Sequence, residues 1–245
     1  MGKLDNALKR VSMNVMILGA GGGIGRALLE EYMSAPGITR IYATHHCEVS
    51  STSSLVRWLH LDMSDPASIM ALADQVDQPI HRWISCTGIL AGDHGQPEKT
   101  LRQLSSDKLQ FDYQVNALGP LTAFSSLANH LRSDDMRAVF LSAQVGSIED
   151  NRLGGWYGYR MSKAALNMGV RCLAIECARW RSAPLIVAVH PGTTVTNLSR
   201  AFTKTRKTPV QSAAACAMQL KALVESLDSD QTGQFLKLDG QTLPW

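Results

Sequence analysis

The sequence predicts an α/β fold: one doubly wound parallel sheet of about seven strands, with helices on both faces. Short apolar runs alternate along the chain with longer stretches of helical periodicity. The apolar runs are continuous, which is typical of strands buried on both faces of a parallel sheet. Strands that alternate with helices indicate successive βαβ units. A length of 245 residues suits one α/β domain, and the chain shows no repeat or linker. We therefore expect a single domain over residues 1–245.

The individual elements follow in chain order. Strands are predicted at residues 14–18, 38–44, 56–61, 80–86, 138–141, 185–189 and 234–238. Helices are predicted at residues 25–33, 67–75, 118–131, 159–180 and 212–227. Segments 91–101 and 198–209 fit neither pattern. We expect two loops there, of the kind that often covers an active site in α/β domains.

Composition and charge narrow the classes of partner. With 24 basic and 21 acidic residues the net charge is only +3, which argues against a nucleic-acid-binding surface. Residues 1–13 lack the apolar stretch of a signal peptide, and no apolar run is long enough to span a membrane. The five cysteines show no metal-ligand spacing, so we expect reduced thiols, no metal site and a cytoplasmic protein.

A glycine-rich segment, GAGGGIGRAL at residues 19–28, joins the first predicted strand to the first helix. A helix N-terminus offers free N–H groups and a favourable dipole to a pyrophosphate, and glycines let the backbone approach it closely. This pattern predicts a dinucleotide site of the Rossmann type, with a ligand-free flexible turn as the alternative. The predicted cradle consists of Gly19, Gly21, Gly23, Ile24 and Gly25.

The residues after the second strand favour NADP over NAD. NAD-selective folds usually place an Asp or Glu there to bind the ribose 2′-hydroxyl. Here His45 and His46 end the strand, and the first acidic residue is Glu48. The missing carboxylate removes repulsion from a 2′-phosphate, and His46 or Arg26 would add positive charge. NAD stays the alternative cofactor.

Tyr159 and Lys163 lie one helical turn apart on the same face of a predicted helix. A free phenol has a pKa near 10, and a nearby cation lowers it, which suits general acid–base catalysis. The spacing alone could arise by chance. Tyr157 is the rival, but Met161 occupies the corresponding position one turn later.

Together these motifs resemble the short-chain dehydrogenase/reductases, and three further segments agree. Asp62-Met63 resembles the family's adenine-binding segment, although Asp62 could merely cap a helix. Asn116 matches the tetrad residue that supports a proton-relay water, with a helix-bend amide as the alternative. The segment from Pro191 resembles the one that lines the nicotinamide. From the resemblance we expect cofactor contacts from His46, Asp62, Met63, Gly88, Tyr159, Lys163, Pro191, Gly192, Thr194 and Thr196.

Segments 143–148, 150–167 and 239–245 resemble more narrowly the C-factor and sniffer-type carbonyl reductases. That resemblance implies an NADPH-dependent reductase, reversible as a dehydrogenase, of a small aldehyde or ketone. The alternative is a non-catalytic NADP-binding signalling or sensor protein; the Tyr-xxx-Lys spacing disfavours enoyl reduction. The expected partners are a small carbonyl or alcohol substrate and, through the apolar helix 159–180, further copies in a homodimer or homotetramer.

Two departures from the family pattern concern the site. Ser85-Cys86-Thr87-Gly88 replaces the usual Asn-Asn-Ala-Gly, so only the glycine is kept. The catalytic serine is displaced: Ala143 holds its usual offset, which leaves Ser142 or Ser147 as candidates. In a regular strand Ser142 would face away from the site unless the strand end is distorted. The implied mechanism has Tyr159 as proton donor, assisted by Lys163, Asn116 and Ser142.

Overall fold

The computed structural model describes residues 12–46, 53–203 and 210–245. These residues contain one sheet of seven parallel strands in the order β3-β2-β1-β4-β5-β6-β7. The predicted fold class is confirmed. The strand order reverses between β1 and β4, so the crevice beyond their carboxyl ends is the position where this architecture binds ligands. The strands are β1 (Met13–Leu18), β2 (Ile38–His45), β3 (Val56–His60), β4 (Arg82–Ser85), β5 (Arg137–Leu141), β6 (Leu185–His190) and β7 (Phe235–Lys237).

Helices cover both faces of the sheet and create two apolar layers. In β1, Met16 and Leu18 belong to one layer, whereas Val15 and Ile17 belong to the other. This two-sided burial explains why the strands read as continuous apolar runs. The helices are α1 (Gly23–Met33), α2 (Pro66–Met70), α3 (Ser106–Tyr113), α4 (Gly119–Ser126), α5 (Tyr157–Cys177), α6 (Arg200–Thr203) and α7 (Ala213–Ser226).

Two helix predictions need correction. The helix expected at 118–131 begins already at Ser106 as α3, continues through a π-helical turn at Gln114–Leu118, and ends with α4 at Ser126. The buried side chains of α3 are Lys108 and Asp112, so this helix has no apolar stripe for a sequence pattern to detect. The helix expected at 67–75 is the short α2 followed by a 3₁₀ turn at Ala73–Gln75.

Within the described ranges, no helix has the length and apolar character to cross a bilayer, and no cluster of three metal-ligating side chains occurs. Cys47 and the basic cluster at 204–207, which the sequence predicts to be a solvated loop, lie outside the described residues. The same applies to the N-terminal residues 1–11.

Candidate active site

A cleft of about 1090 Å³ runs along the carboxyl ends of the strands, from the glycine segment after β1 to Tyr159 on α5. Its volume is slightly above the range of about 300–1,000 Å³ that is usual for ligand pockets. Gly25 and Asn116 are buried and support the cleft from behind. The predicted residues that line it are Gly19, Gly21, Gly23, Ile24, His46, Asp62, Met63, Gly88, Ser142, Tyr159, Lys163, Pro191, Gly192, Thr194 and Thr196.

The glycine segment forms a tight cradle at one end of the cleft. Gly19 has a φ of 75° and donates its N–H to Thr44 Oγ1 at 2.9 Å. A Cβ on Gly25 would lie 2.3 Å from the Gly19 carbonyl oxygen, so the turn closes only with glycine there. Among the described residues, no side chain caps the N-terminus of α1 at Gly22. The N–H groups of this helix end therefore suit the phosphates of a dinucleotide.

The segment after β6 closes the cradle from the opposite side. A Cβ on Gly23 would lie 2.7 Å from Thr196 Cγ2, which shows how closely the two segments approach. The Thr194 hydroxyl donates to the Pro191 carbonyl at 3.0 Å, and Gln211 Nε2 donates to the same oxygen at 2.6 Å. These bonds fix the backbone that the sequence predicts to line a nicotinamide.

His46 and Asp62 lie together at the other end of the cradle. His46 Nδ1 is 3.8 Å from Asp62 Oδ2. The Asp62 carboxylate accepts hydrogen bonds from the Ser64 N–H at 2.8 Å and the Ser64 hydroxyl at 2.7 Å. Burial alone would raise the pKa of Asp62, but the Ser64 bonds and the nearby His46 outweigh it and lower the pKa. Asp62 closes this turn, whereas Asp65 caps α2 through the Ala67 N–H.

Asn116 lies in the π-helical turn and ties β4 to α5. Its Oδ1 accepts the Ile89 N–H at 2.7 Å, and its Nδ2 donates to the Ile89 carbonyl and to Ser162 Oγ, both at 3.0 Å. A Cβ on Gly88 would lie 3.2 Å from Asn116 Oδ1 and 3.3 Å from Lys163 Nζ. The segment after β4 departs from the family pattern except at Gly88, and the backbone at Gly88 still lies close to both side chains.

Tyr159 and Lys163 lie on the first two turns of α5. Lys163 is 2% exposed, and its Nζ donates to the Leu141 carbonyl at 2.8 Å and lies 5.9 Å from the centre of the Tyr159 ring. Burial lowers the pKa of Lys163 to about 8. Burial and, after it, the negative charge of Asp112 raise the pKa of Tyr159 to about 12. The direction differs from the lowered tyrosine pKa expected from the Tyr–Lys pair, because burial and then Asp112 both raise it.

The two candidate serines have different surroundings. Ser142 lies just beyond β5 and lines the cleft, and its hydroxyl donates to Asn167 Oδ1 on α5 at 2.6 Å. The Ser147 hydroxyl donates to the Trp245 carbonyl at 3.0 Å and accepts the Asp150 N–H at 3.1 Å. Ser147 lies outside the cleft lining formed by the described residues. Of these two serines, Ser142 is the one that lines the cleft.

Comparison with known proteins identifies the family. A sequence profile of short chain dehydrogenases matches residues 13–207. The chain belongs to the short chain dehydrogenase family. The C-signal protein of Myxococcus xanthus is 31% identical over 134 residues, which covers 54% of this chain and 76% of that protein.

Two solved structures show the same fold. The carbonyl reductase Sniffer of D. melanogaster superposes with a TM-score of 0.82 at 20% identity, covering 96% of this chain and 100% of that one. The NADPH-bound carbonyl reductase from chicken fatty liver gives 0.84 at 21% identity, covering 95% of this chain and 94% of that one.

The cleft of this short chain dehydrogenase also contains Trp156 and Phe202, from segments 147–156 and 198–209 that the sequence predicts to build the substrate pocket. Trp156 has a φ of 50°, a strained value for a non-glycine residue, and it follows Gly154 and Gly155, whose φ values are also positive. Its ring is 5.3 Å from that of Phe202 and 6.4 Å from that of Tyr159, so aromatic groups surround the mouth near the phenol. Two consecutive glycines before Trp156 are the sequence feature that could have indicated this unusual backbone. Lys108 and Asp112 also line the cleft.

Proposed function

We propose that the protein is an NADPH-dependent reductase, reversible as a dehydrogenase, of the carbonyl group in a small aldehyde or ketone. The observation that carries the proposal is that Tyr159 and Lys163 lie in the same cleft as the glycine cradle, with Asn116 directly behind them. Membership of the short chain dehydrogenase family and the fold shared with two carbonyl reductases support it.

The cradle and the segment at Pro191 would hold the dinucleotide, which supplies the hydride when bound. We favour NADP over NAD because β2 ends at His45 and continues to His46, where NAD-selective folds carry an acid. His46 is well exposed and able to meet a 2′-phosphate. The NADPH in the related chicken carbonyl reductase supports the same choice.

Tyr159 would give the proton to the substrate oxygen. With its pKa raised to about 12 the phenol is protonated at neutral pH, as a general acid must be. Lys163 would contact the nicotinamide ribose, and Asn116 would hold the water that returns a proton to the site. Ser142 would polarise the substrate carbonyl once its hydroxyl turns from Asn167.

The test is NADPH consumption across a panel of aldehydes and ketones, together with NADPH binding followed by fluorescence. Tyr159→Phe should lose about 100-fold or more in kcat on an accepted substrate while it still binds NADPH. The matched control is Tyr157→Phe, an identical change on the same helix outside the cleft lining of the described residues, and it should keep full activity. Full activity in Tyr159→Phe refutes the mechanism. NADPH binding with no turnover anywhere in the panel favours the sensor instead.

A further inference from the structure

The segment of residues 147–156, which leads into α5, supplies part of the cleft lining. Asp150, Arg152 and Leu153 line the cleft from the first part of this segment. Leu153 is 91% exposed, and residues 147–156 belong to no helix or strand. A loop of this kind keeps one conformation only where other parts of the chain hold it.

Hydrogen bonds with distant residues hold this segment at both ends. At the end next to α5, the Trp156 N–H donates to the Glu98 carbonyl at 2.5 Å. At the other end, the backbone oxygen of Trp245 accepts the Ser147 hydroxyl and the Glu149 N–H, both at 3.0 Å. The first part of the segment therefore depends on Trp245.

The bonds at Trp245 continue to side chains of the cleft. The Ser147 hydroxyl that donates to Trp245 also accepts the Asp150 N–H at 3.1 Å. The Asp150 carboxylate accepts a hydrogen bond from Gln144 Nε2 at 2.7 Å, and both of these side chains line the cleft. Trp245 lies outside the lining formed by the described residues, but only Ser147 separates it from Asp150.

The segment after β7 fixes the position of Trp245. It turns at Gly240, whose φ is 81°, and runs back antiparallel to β7, where the Leu243 N–H donates to the Phe235 carbonyl at 2.7 Å. The Trp245 ring stacks on the buried Phe235 ring, with the ring centres 5.8 Å apart and the planes at 20°. Without that ring, the backbone oxygen of Trp245 loses its anchor on the sheet.

We propose that Trp245 is a positioning residue for the substrate: its ring, stacked on Phe235, holds the backbone oxygen that fixes residues 147–153 and so one wall of the cleft. Ser147 serves this contact. Tyr159 is carried by α5 and the cofactor cradle by the segments after β1 and β6, so Trp245 should affect substrate binding and not proton transfer or NADPH binding. The kinetic consequence rests on the proposed function, whereas the order of residues 147–153 does not.

Hydrogen exchange, followed by mass spectrometry of the peptides that cover residues 147–153, tests this contact directly. Trp245→Ala should speed exchange there about tenfold, because the Glu149 and Asp150 N–H groups lose acceptors that are fixed in place. Trp245→Phe keeps a ring in the stack and should restore the exchange of the wild type. Ser147→Ala leaves the Glu149 bond in place and should speed exchange by a smaller factor.

Steady-state kinetics with an accepted carbonyl substrate separates positioning from a general loss of structure. Trp245→Ala should raise KM for the carbonyl about five- to tenfold and leave kcat and the NADPH dissociation constant within about twofold. Trp180→Ala is the matched control, because it makes the same change at a ring that packs on the Arg132 guanidinium, outside the cleft lining of the described residues. It should change neither KM nor the exchange of residues 147–153.

Unchanged exchange of residues 147–153 in the folded Trp245→Ala and Ser147→Ala variants overturns the proposal. An equal response to Trp180→Ala, a loss of NADPH affinity as large as the rise in KM, or faster exchange with an unchanged KM overturns it as well. Should Trp245→Ala not fold, Ser147→Ala decides by the same readouts. Faster exchange in a protein that reduces no carbonyl upholds the contact between Trp245 and this segment and refutes the proposed function alone.

Discussion

Replacing Lys163 by Met should stabilise the fold at neutral pH, although it removes a proposed catalytic group. The side chain is 2% exposed, and its Nζ donates a hydrogen bond to the Leu141 carbonyl at 2.8 Å. Burial lowers its pKa from 10.5 to about 8. Protonation of the Lys163 amine is therefore less favourable in the folded protein than in the unfolded chain, where the amine is hydrated.

The size of the destabilisation by Lys163 follows from the shift of its pKa. A lowering from 10.5 to about 8 corresponds to about 3 kcal/mol of destabilisation wherever the amine is protonated in both states. Loss of the bond to Leu141 offsets about 1 kcal/mol of the gain. Between pH 8 and 10.5 the unfolded chain binds more protons, so the free energy of unfolding of the wild type rises with pH. The advantage of Lys163→Met should be about 2 kcal/mol at pH 7 and close to zero at pH 9.5.

Urea unfolding of both proteins at pH 7 and pH 9.5 measures this difference. Tyr159 titrates in both proteins, so to first order its contribution cancels. Lys99→Met, at an exposed lysine, is the control and should show no pH-dependent difference from the wild type. A Lys163→Met variant that is less stable than the wild type at pH 7, or whose advantage is equal at the two pH values, would refute the reasoning.

Two predictions concern the cofactor. His46→Asp places a carboxylate at the end of β2, where it repels a 2′-phosphate, so the ratio of NADPH to NADH affinity should fall about tenfold in fluorescence titrations; an unchanged ratio would mean that His46 does not face the ribose. Gly25→Ala puts a Cβ 2.3 Å from the Gly19 oxygen and should cost about 1–3 kcal/mol of stability and weaken NADPH binding. Gly22→Ala, whose added Cβ meets no protein atom within 4 Å, should keep the stability of the wild type. Equal melting temperatures for the two alanine variants would contradict this.

Local patterns were enough to predict the sheet and most of the cleft. The glycine segment, the residues after β2 and the Pro191 segment each follow a strand, and carboxyl ends of parallel strands meet at one edge. A motif placed at a strand end is therefore placed in the cleft once the strands are recognised. The resemblance to a known family added that these segments occur in the same order along the chain as in that family.

Helix α3 shows where that reasoning fails. A helix is recognised by an apolar stripe facing the core, but the buried side chains of α3 are Lys108 and Asp112. Lys108 pairs with Asp112 one turn along the same helix, whereas Glu98 approaches Lys108 only in the folded chain. Burial and, after it, the charge of Asp112 raise the pKa of Tyr159, so neither the helix nor the raised tyrosine pKa follows from the Tyr–Lys spacing.

The orientation of Ser142 also depends on a contact between distant parts of the chain. Ser142 lies beyond the last residue of β5, so strand alternation does not decide its direction, and its hydroxyl meets Asn167 on the helix that carries Tyr159. The Asn167 Nδ2 has no hydrogen-bond partner among the described residues. Rotation of that amide by 180° would bring Nδ2 to the Ser142 oxygen as a donor, and the serine proton would then be free for a substrate carbonyl. The proposed role of Ser142 therefore requires this rotation, which is available because an asparagine amide both donates and accepts hydrogen bonds.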